Sequence, residues 1–390
     1  MKICVIIPSF YPAISYGGPI VSSLSACREL SRLPETEIKV VTTNVNNGSP
    51  KLKVIRNKWV PFEKLFKIKY YNVILSGFSL RLFFGIHKDI KESDIIHIQG
   101  IFNSTTPIAL FWSAIFRKPI ILSPRGVLAE WCLESRKVLK KIWLRIFIKP
   151  FAEKVTWHVT GITEKKEILA LYQNAQIEIV PNGVYIQEFK NFEKLKKSNY
   201  LYKFTKVEEK KINKLVISMG RLTIKKGFDL LIKAFNKVLL KYPDSYLLIA
   251  GPEESEGPKL KMLISELNLE KNVFLIGDIR NQDKVNFLVN ADVFVLPSYN
   301  ENFGNVFVES LAAGTPIVAS LDTPWQISES RKCGKWVNND ESNIYSAIVD
   351  LLGEDRIKIR KNCLKLSEEF DWSIIAFKFD EIYKKLLVEI

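Results

Sequence analysis

Histidine, methionine and cysteine are scarce in this chain of 390 residues: three, three and five of them. His87, His97 and His158 show no metal-ligand spacing, and Cys4, Cys27, Cys132, Cys333 and Cys363 form no CxxC pair. This argues against zinc and against a disulfide framework, and for reduced thiols in a cytosolic compartment. No Asp-x-Asp pair occurs, so phosphate handling through a divalent metal is not expected. No stretch approaches the roughly 18 apolar residues that a membrane-spanning helix needs. The nearest, 108–116, is interrupted by Ser113 and closed by Arg117 and Lys118. The apolar stretch 3–7 is too short for a signal peptide. Neither a GxGxxG nor a Walker A loop is present, and no short-period repeat suggests a solenoid.

What is present is a globular composition, 47% hydrophobic and 12% aromatic. The length exceeds one ordinary core, so two domains are expected. Lysine and arginine number 57 against 42 acidic residues, a formal net charge of +15. Solubility alone explains such an excess. The functional readings are phosphate-bearing substrates, an anionic membrane surface or nucleic acid. No helix-turn-helix, RNP-like or zinc-finger signature accompanies the charge, so no nucleic-acid partner is expected.

Apolar strand-like runs alternate with helical patterns. Strands are predicted at 2–8, 37–43, 95–99, 119–123, 155–160 and 177–180, with a helix over 19–33. Residues 181–183 form a turn, and 187–214, highly charged, reads as a linker or edge segment. Alternation restarts with strands at 215–219, 247–250, 273–276, 293–296 and 316–319. The chain ends in an amphipathic helix, 372–390. This order predicts two similar doubly wound α/β domains with parallel sheets.

The most informative stretch is 297–316, bracketed by Glu301 and Glu309. A buried strand ends at Pro297, polar turn residues and Gly304 follow, and a helix runs over about 305–313. Glu309 sits on that helix among Val306, Phe307, Val308, Leu311 and Ala312. A carboxylate in such company is costly without a partner. An acid and free backbone N–H groups at the carboxyl end of a strand mark a ligand site in an open α/β sheet. A glycosidase pair is disfavoured. On one helix the two acids would stand roughly 12 Å apart, against the about 5–9.5 Å that glycoside hydrolysis uses.

Two loops suit a diphosphate. After strand 215–219 comes Gly220-Arg-Leu-Thr-Ile-Lys-Lys-Gly227. Arg221 offers a planar fork and Lys226 a point charge near a helix N-terminus. In the first half, Gly17-Gly18 lies between strand and helix, where missing side chains let backbone N–H groups approach a ligand. Each loop taken alone also reads as a solvated turn.

Together these residues resemble the retaining nucleotide-sugar glycosyltransferases of family 4. The marks are Glu301 and Glu309 in a Glu-x7-Glu signature, Gly220-Arg221 with Lys226-Gly227, Gly17-Gly18, Pro181-Asn-Gly-Val184 and Phe370-Asp-Trp372. The resemblance implies the GT-B fold, two facing Rossmann-like domains with an interdomain cleft. The acceptor-side domain would be 1–183, joined by the helix 372–390, and the donor domain 184–371. Arg221 and Lys226 would hold the donor diphosphate, and Glu309 the ribose hydroxyls. Glu301 and the backbone of Asn302, Phe303, Gly304 and Asn305 would hold the sugar and phosphate. Ile279 would read the base, and Gly17 and Gly18 would face the diphosphate. No cofactor or divalent metal is implied. The resemblance implies a UDP- or GDP-linked sugar as donor and, as acceptor, a lipid-linked saccharide of a bacterial envelope polysaccharide such as lipopolysaccharide or capsule.

The chain departs from the family at one place. A histidine often follows the strand that here ends at Ser123, and Arg125 occupies that position. Arginine stays protonated and cannot act as a base. It would hydrogen-bond the sugar or an anionic acceptor, or serve as a turn residue. His97 is either a packed strand residue or part of the acceptor side. Lys137, Lys140, Lys141, Arg145 and Lys149 interleave with apolar residues, as on an interfacial helix against anionic lipid; a half-buried core helix fits the pattern too. The rival functions are a sugar-nucleotide epimerase or phosphorylase of the same fold, or a non-catalytic binder of anionic glycans.

Overall fold

The computed structural model describes residues 1–46, 50–73, 80–190, 197–205 and 214–388. It divides into two compact units, Met1–Gly183 with Trp372–Ile390, and Val184–Asp371.

The first unit is built on eight strands: β1 (Lys2–Ile6), β2 (Glu37–Thr43), β3 (Trp59–Phe62), β4 (Phe66–Tyr71), β5 (Ile95–Gln99), β6 (Ile120–Ser123), β7 (Thr156–Val159) and β8 (Gln176–Ile179). Their order is β3-β4-β2-β1-β5-β6-β7-β8. All pairs are parallel except β3 with β4. Every residue of β5, β6 and β7 is buried, as expected of strands covered on both faces. Helices α1 (Gly18–Leu30), α2 (Leu80–Lys91), α3 (Thr105–Ile115), α4 (Glu130–Glu134), α5 (Lys137–Trp143) and α6 (Ile162–Leu171) belong to it. Its last piece is the C-terminal helix Trp372–Val388, which packs on α1. The antiparallel edge pair β3–β4 was not read from the sequence. Pro61 lies in β3, where an edge position tolerates a missing N–H.

The second unit has a six-stranded, all-parallel sheet: β9 (Lys214–Met219), β10 (Ser245–Ala250), β11 (Val273–Gly277), β12 (Val293–Leu296), β13 (Ile317–Ser320) and β14 (Gly334–Val337). The order is β11-β10-β9-β12-β13-β14. Its helices are α7 (Ile186–Lys190), α8 (Lys197–Thr205), α9 (Phe228–Lys241), α10 (Gly257–Glu266), α11 (Asn281–Asn290), α12 (Asn305–Ala312), α13 (Ile327–Ser330), α14 (Glu341–Gly353) and α15 (Arg356–Glu368); the C-terminal helix is α16.

The expected linker 187–214 needs correction where it is described. Tyr200 and Leu201 of α8 are fully buried in the second core. Lys203 on the same helix pairs with Asp283 at 3.3 Å. The Lys203 charge lies on the solvated face of that packed helix. Residues 191–196 and 206–213 of that segment lie outside the described residues.

Both sheets reverse their strand order once. In the first, β1 lies between β2 and β5; in the second, β9 lies between β10 and β12. The loops leaving β1 and β5, and those leaving β9 and β12, diverge at the carboxyl ends and leave a crevice. The candidate residues lie in the loops after β1, β6, β9, β11 and β12, with His97 in β5 and Asn305 and Glu309 on α12. No helix among the described residues is long and apolar enough to cross a membrane.

Candidate functional site

In the second unit, β12 is completely buried and stops at Pro297. Gly227 adopts φ +64°, and a Cβ there would stand 2.2 Å from the Pro297 carbonyl oxygen. Only glycine permits this approach, which draws the loop after β9 onto the loop after β12. The Tyr299 N–H donates to the Lys225 carbonyl at 2.9 Å and ties them further. The outcome is an ion pair between Lys226 Nζ and Glu301 Oε1. Ser298 Oγ donates to the same oxygen at 2.9 Å. Lys226 lies along Gly220, where a Cβ would come within 3.2 Å of its Cε. Both members of the pair are largely buried, 17% and 12% exposed.

Glu309 lies on α12, whose start is set by Gly304 at φ +74°. Its Oε1 accepts from Lys284 Nζ of α11 at 2.6 Å. Its Oε2 is buried without a hydrogen-bond partner. Leaving a buried acceptor unsatisfied costs about 1–3 kcal/mol, so this oxygen is suited to a ligand donor. Phe303 is buried, and its carbonyl accepts from Trp325 Nε1 at 2.6 Å. Its ring packs on Trp325 at 5.2 Å and on Phe370 at 5.9 Å. Asn302 and Asn305 are half-buried at the entry of α12, and Ile279 is half-buried after β11. Arg221 is 65% exposed and pairs with Glu254 at 3.3 Å.

In the first unit, a cavity of about 450 Å³ opens at the ends of β1 and β5. Pro8, Ser9, Gln99, Gly100, Asn103 and Arg125 are among its walls. Asn103 Oδ1 accepts from the N–H groups of Thr105 and Thr106, both at 3.1 Å, and thereby caps α3. Arg125 sits in the left-handed region at φ +63°. Its Nε donates to Gln99 Oε1 at 2.7 Å, and one terminal nitrogen donates to Asn182 Oδ1 at 3.2 Å. The other reaches Ser23 Oγ at 3.5 Å. All three partners are neutral. Burial lowers the Arg125 pKa from its usual value, and the charge of Glu164 opposes that shift. Glu164 does not bond the guanidinium; it accepts from the N–H groups of Gly126 at 2.7 Å and Thr160 at 2.9 Å. It thus holds the loop that presents Arg125. Gly17, at φ +78°, and Gly18 are exposed where α1 begins.

His97 lies under this cavity, 3% exposed. Its Nδ1 is 2.8 Å from the Tyr383 hydroxyl of α16, and its Nε2 is 2.7 Å from Ser123 Oγ. Ser123 Oγ is also 2.7 Å from His158 Nδ1, and His158 Nε2 donates to the Val180 carbonyl at 2.9 Å. His97 reaches the cavity only through Gln99, whose Nε2 lies 2.9 Å from its ring. Burial holds the pKa of His97 well below the usual 6.5, with His158 and Arg125 adding to the effect. In this position His97 is a packed strand residue. Among the described residues no cluster of three or more His, Cys, Asp or Glu is arranged to hold a metal ion.

Comparison with known proteins places this geometry. Residues 202–367 match the family model "Glycosyl transferases group 1". That segment, which is most of the second unit, is of the group 1 glycosyltransferase kind. An uncharacterized glycosyltransferase of Methanocaldococcus jannaschii is 35% identical over 288 residues, 72% of this chain and 64% of that protein. The phosphatidyl-myo-inositol mannosyltransferase of Mycobacterium tuberculosis is 26% identical over 329 residues, 79% of this chain and 80% of that protein. The chain spans 57–64% of the length of the first curated relatives it matches. Among solved structures, Anabaena HepE in complex with UDP superposes with TM-score 0.74 at 18% identity, over 99% of this chain and 100% of that one. The fold is that of GT-B glycosyltransferases, two parallel-sheet α/β domains.

Within the group 1 segment, the sequence reading did not find Lys284. It is the only cation on α11, and the cost of burying Glu309 demanded some such partner. Glu164 was missed in the first unit, because nothing in its own helix marks it. It is one acid among several charges on α6, and it matters only through the loop it holds.

Proposed function

We propose that the protein transfers a sugar from a UDP- or GDP-linked donor to a hydroxyl of a saccharide acceptor, with retention of the anomeric configuration and without a divalent metal. The acceptor is lipid-linked and belongs to bacterial envelope polysaccharide synthesis at the cytoplasmic side. The observation that carries the reading is the convergence after β9 and β12: Lys226 paired with Glu301, beside α12, whose Glu309 keeps one buried carboxylate oxygen free of partners.

In this reading Lys226 takes up charge on the departing diphosphate, and the N-terminus of α12 adds its dipole. Glu309 Oε2 accepts from a ribose hydroxyl. Glu301, released from Lys226 as phosphate arrives, accepts from the donor sugar. Arg221 joins after leaving Glu254; an exposed pair of this kind is worth about 0–1 kcal/mol, so the exchange costs little. The acceptor oxygen attacks the anomeric carbon on the face the diphosphate leaves. The carbon–oxygen bond to phosphate breaks, its electron pair stays on the phosphate oxygen, and that oxygen takes the acceptor proton. Arg125, with Gln99 and Asn103, supports binding of the acceptor head in the first unit. The M. tuberculosis relative, named for mannosyl transfer to phosphatidyl-myo-inositol, supports a lipid-borne acceptor; the UDP bound by HepE supports a nucleotide-sugar donor.

Calorimetric titration with UDP-glucose and GDP-mannose, with and without a chelator, tests the donor. One of them should bind equally well in both buffers. Lys226→Ala should lower turnover about 100- to 1,000-fold, the cost of losing one preorganised charge-stabilising group. Near-normal transfer by that variant removes Lys226 from the mechanism. Conversion of donor without acceptor would favour the epimerase.

A further inference from the structure

The segment 137–151 does not continue as one helix. After α5 the chain makes a π-helical stretch, Leu144–Ile148, and a 3-10 turn, Lys149–Phe151. The wider turn shifts the helical phase. Leu144 and Ile148, which fall on the basic side of a regular helix, are thereby buried, while Leu139 and Ile146 face outward, 66% and 56% exposed. Trp143 Nε1 donates to the Ile101 carbonyl at 3.0 Å and fastens α5 to the loop after β5.

Between this segment and helices α2 and α3 lies a second cavity, of about 940 Å³. Phe84, Phe111, Leu139, Trp143 and Phe147 give it an aromatic and aliphatic wall, and Arg136 and Lys140 lie on its edge. Phe84 is 67% exposed and Phe111 45%. Exposed apolar side chains gathered on one concave surface mark a binding site for an apolar ligand. Phe102, Asn103 and Ser104 line both this groove and the strand-end cavity that holds Arg125. A single molecule reaching past these three residues would occupy both.

We propose that the groove formed by α2, α3 and α5 binds the hydrocarbon chain of a phosphate-bearing lipid acceptor whose saccharide head sits in the strand-end cavity. The proposal rests on the glycosyltransferase reading and names the acceptor's chemistry. Two features select this occupant. The wall is apolar while the edge carries cations, which complements a chain attached to an anionic phosphate. The groove also joins the strand-end cavity that holds Arg125 and Gln99, which a flat bilayer surface would not require. The groove confers selectivity for chain-bearing over free saccharides.

The test uses the full chain and a series of n-alkyl phosphates, hexyl to decyl, titrated calorimetrically below the concentrations at which they aggregate. Affinity should rise up to about fourfold for each added methylene until the groove is filled. Octyl glucoside, without the charge, should bind about tenfold more weakly than octyl phosphate. Phe111→Glu and Leu139→Glu change exposed side chains, so melting temperature should hold while the chain-length dependence disappears. Ile115→Glu, on α3 outside the groove, should leave it intact. Affinity independent of chain length overturns the proposal. So does binding confined to phosphatidylglycerol vesicles, which would make the surface a bilayer contact, or a dimer that Leu139→Glu dissociates, which would make it a self-association face. Donor titration on the unaltered chain reports separately on the glycosyltransferase reading, so the two failures are distinguishable.

Discussion

Lowering the pH from about 7 to about 5 should destabilise the first unit through its buried histidines. His158 donates from Nε2 to the Val180 carbonyl, which leaves Nδ1 as the unprotonated acceptor facing Ser123. Burial, with the charge of Arg125 adding to it, lowers its pKa from 6.5 to about 3. The folded value lies below the unfolded one, so the unfolded chain takes up the proton first. Stability is therefore complete above about pH 6.5 and is lost as the pH falls toward the folded value. At pH 5 the loss from His158 alone is about 2 kcal/mol, each pH interval of one being worth about 1.36 kcal/mol. His97 is shifted in the same direction and adds to it. Glu164 and Asp89, whose pKa values burial raises, act oppositely at the acidic end. The measurement is urea denaturation at both pH values for the unaltered chain and for His158→Asn. The variant is less stable at pH 7 as well, so the readout is the difference between the two pH values. The variant should lose about 2 kcal/mol less on acidification. Equal losses in both proteins would refute the neutral, buried imidazole.

Other perturbations bear on the site directly. Gly227→Ala forces a Cβ onto the Pro297 carbonyl at a positive φ, so it should destabilise by more than about 1 kcal/mol, read from chemical denaturation, and weaken nucleotide binding as the two loops part. Lys284→Ala leaves Glu309 without its cation; a thermal-shift titration with the bound donor should show affinity falling about tenfold, while Lys284→Arg should retain most of it. Arg125→Lys keeps the charge but not the fork that spans Gln99 and Asn182, so the Michaelis constant for acceptor should rise while donor affinity stays unchanged in the same calorimetric assay.

The strands other than β3, β4 and β14 were legible because buried parallel strands are short continuous apolar runs, as 95–99 and 293–296 show; β14, Gly334–Val337, was missed because it is short and only partly buried. The helix carrying Glu309 was legible from its bounding glycines, Gly304 and Gly314. The pair β3–β4 was not, because Trp59–Phe62 contains Pro61 and lacks a two-residue hairpin signal. The α5 segment was half legible: its basic and apolar residues were evident, but the π-helical stretch that turns Leu144 and Ile148 inward leaves no mark in periodicity. The two acids stood out because Glu301 follows a strand end and Glu309 sits in apolar surroundings. Their partners lie on other elements, and which lysine reaches which acid depends on packing. Lys226 to Glu301 spans 75 positions and Lys284 to Glu309 spans 25.

The two strand-order reversals handle charge in opposite ways. After β9 and β12 the cation and the acid neutralise each other, and a hydroxyl from Ser298 supports the acid. After β5 and β6 the Arg125 guanidinium has three neutral partners and no bonded acid. The Lys226–Glu301 pair is largely buried and is satisfied from within the unit. An arginine cradled by amides keeps its field directed into the cavity, because neutral acceptors orient it without cancelling its charge. The first crevice therefore favours a ligand group that brings its own negative charge or several acceptor oxygens. A neutral, apolar head would leave the guanidinium partly desolvated and uncompensated.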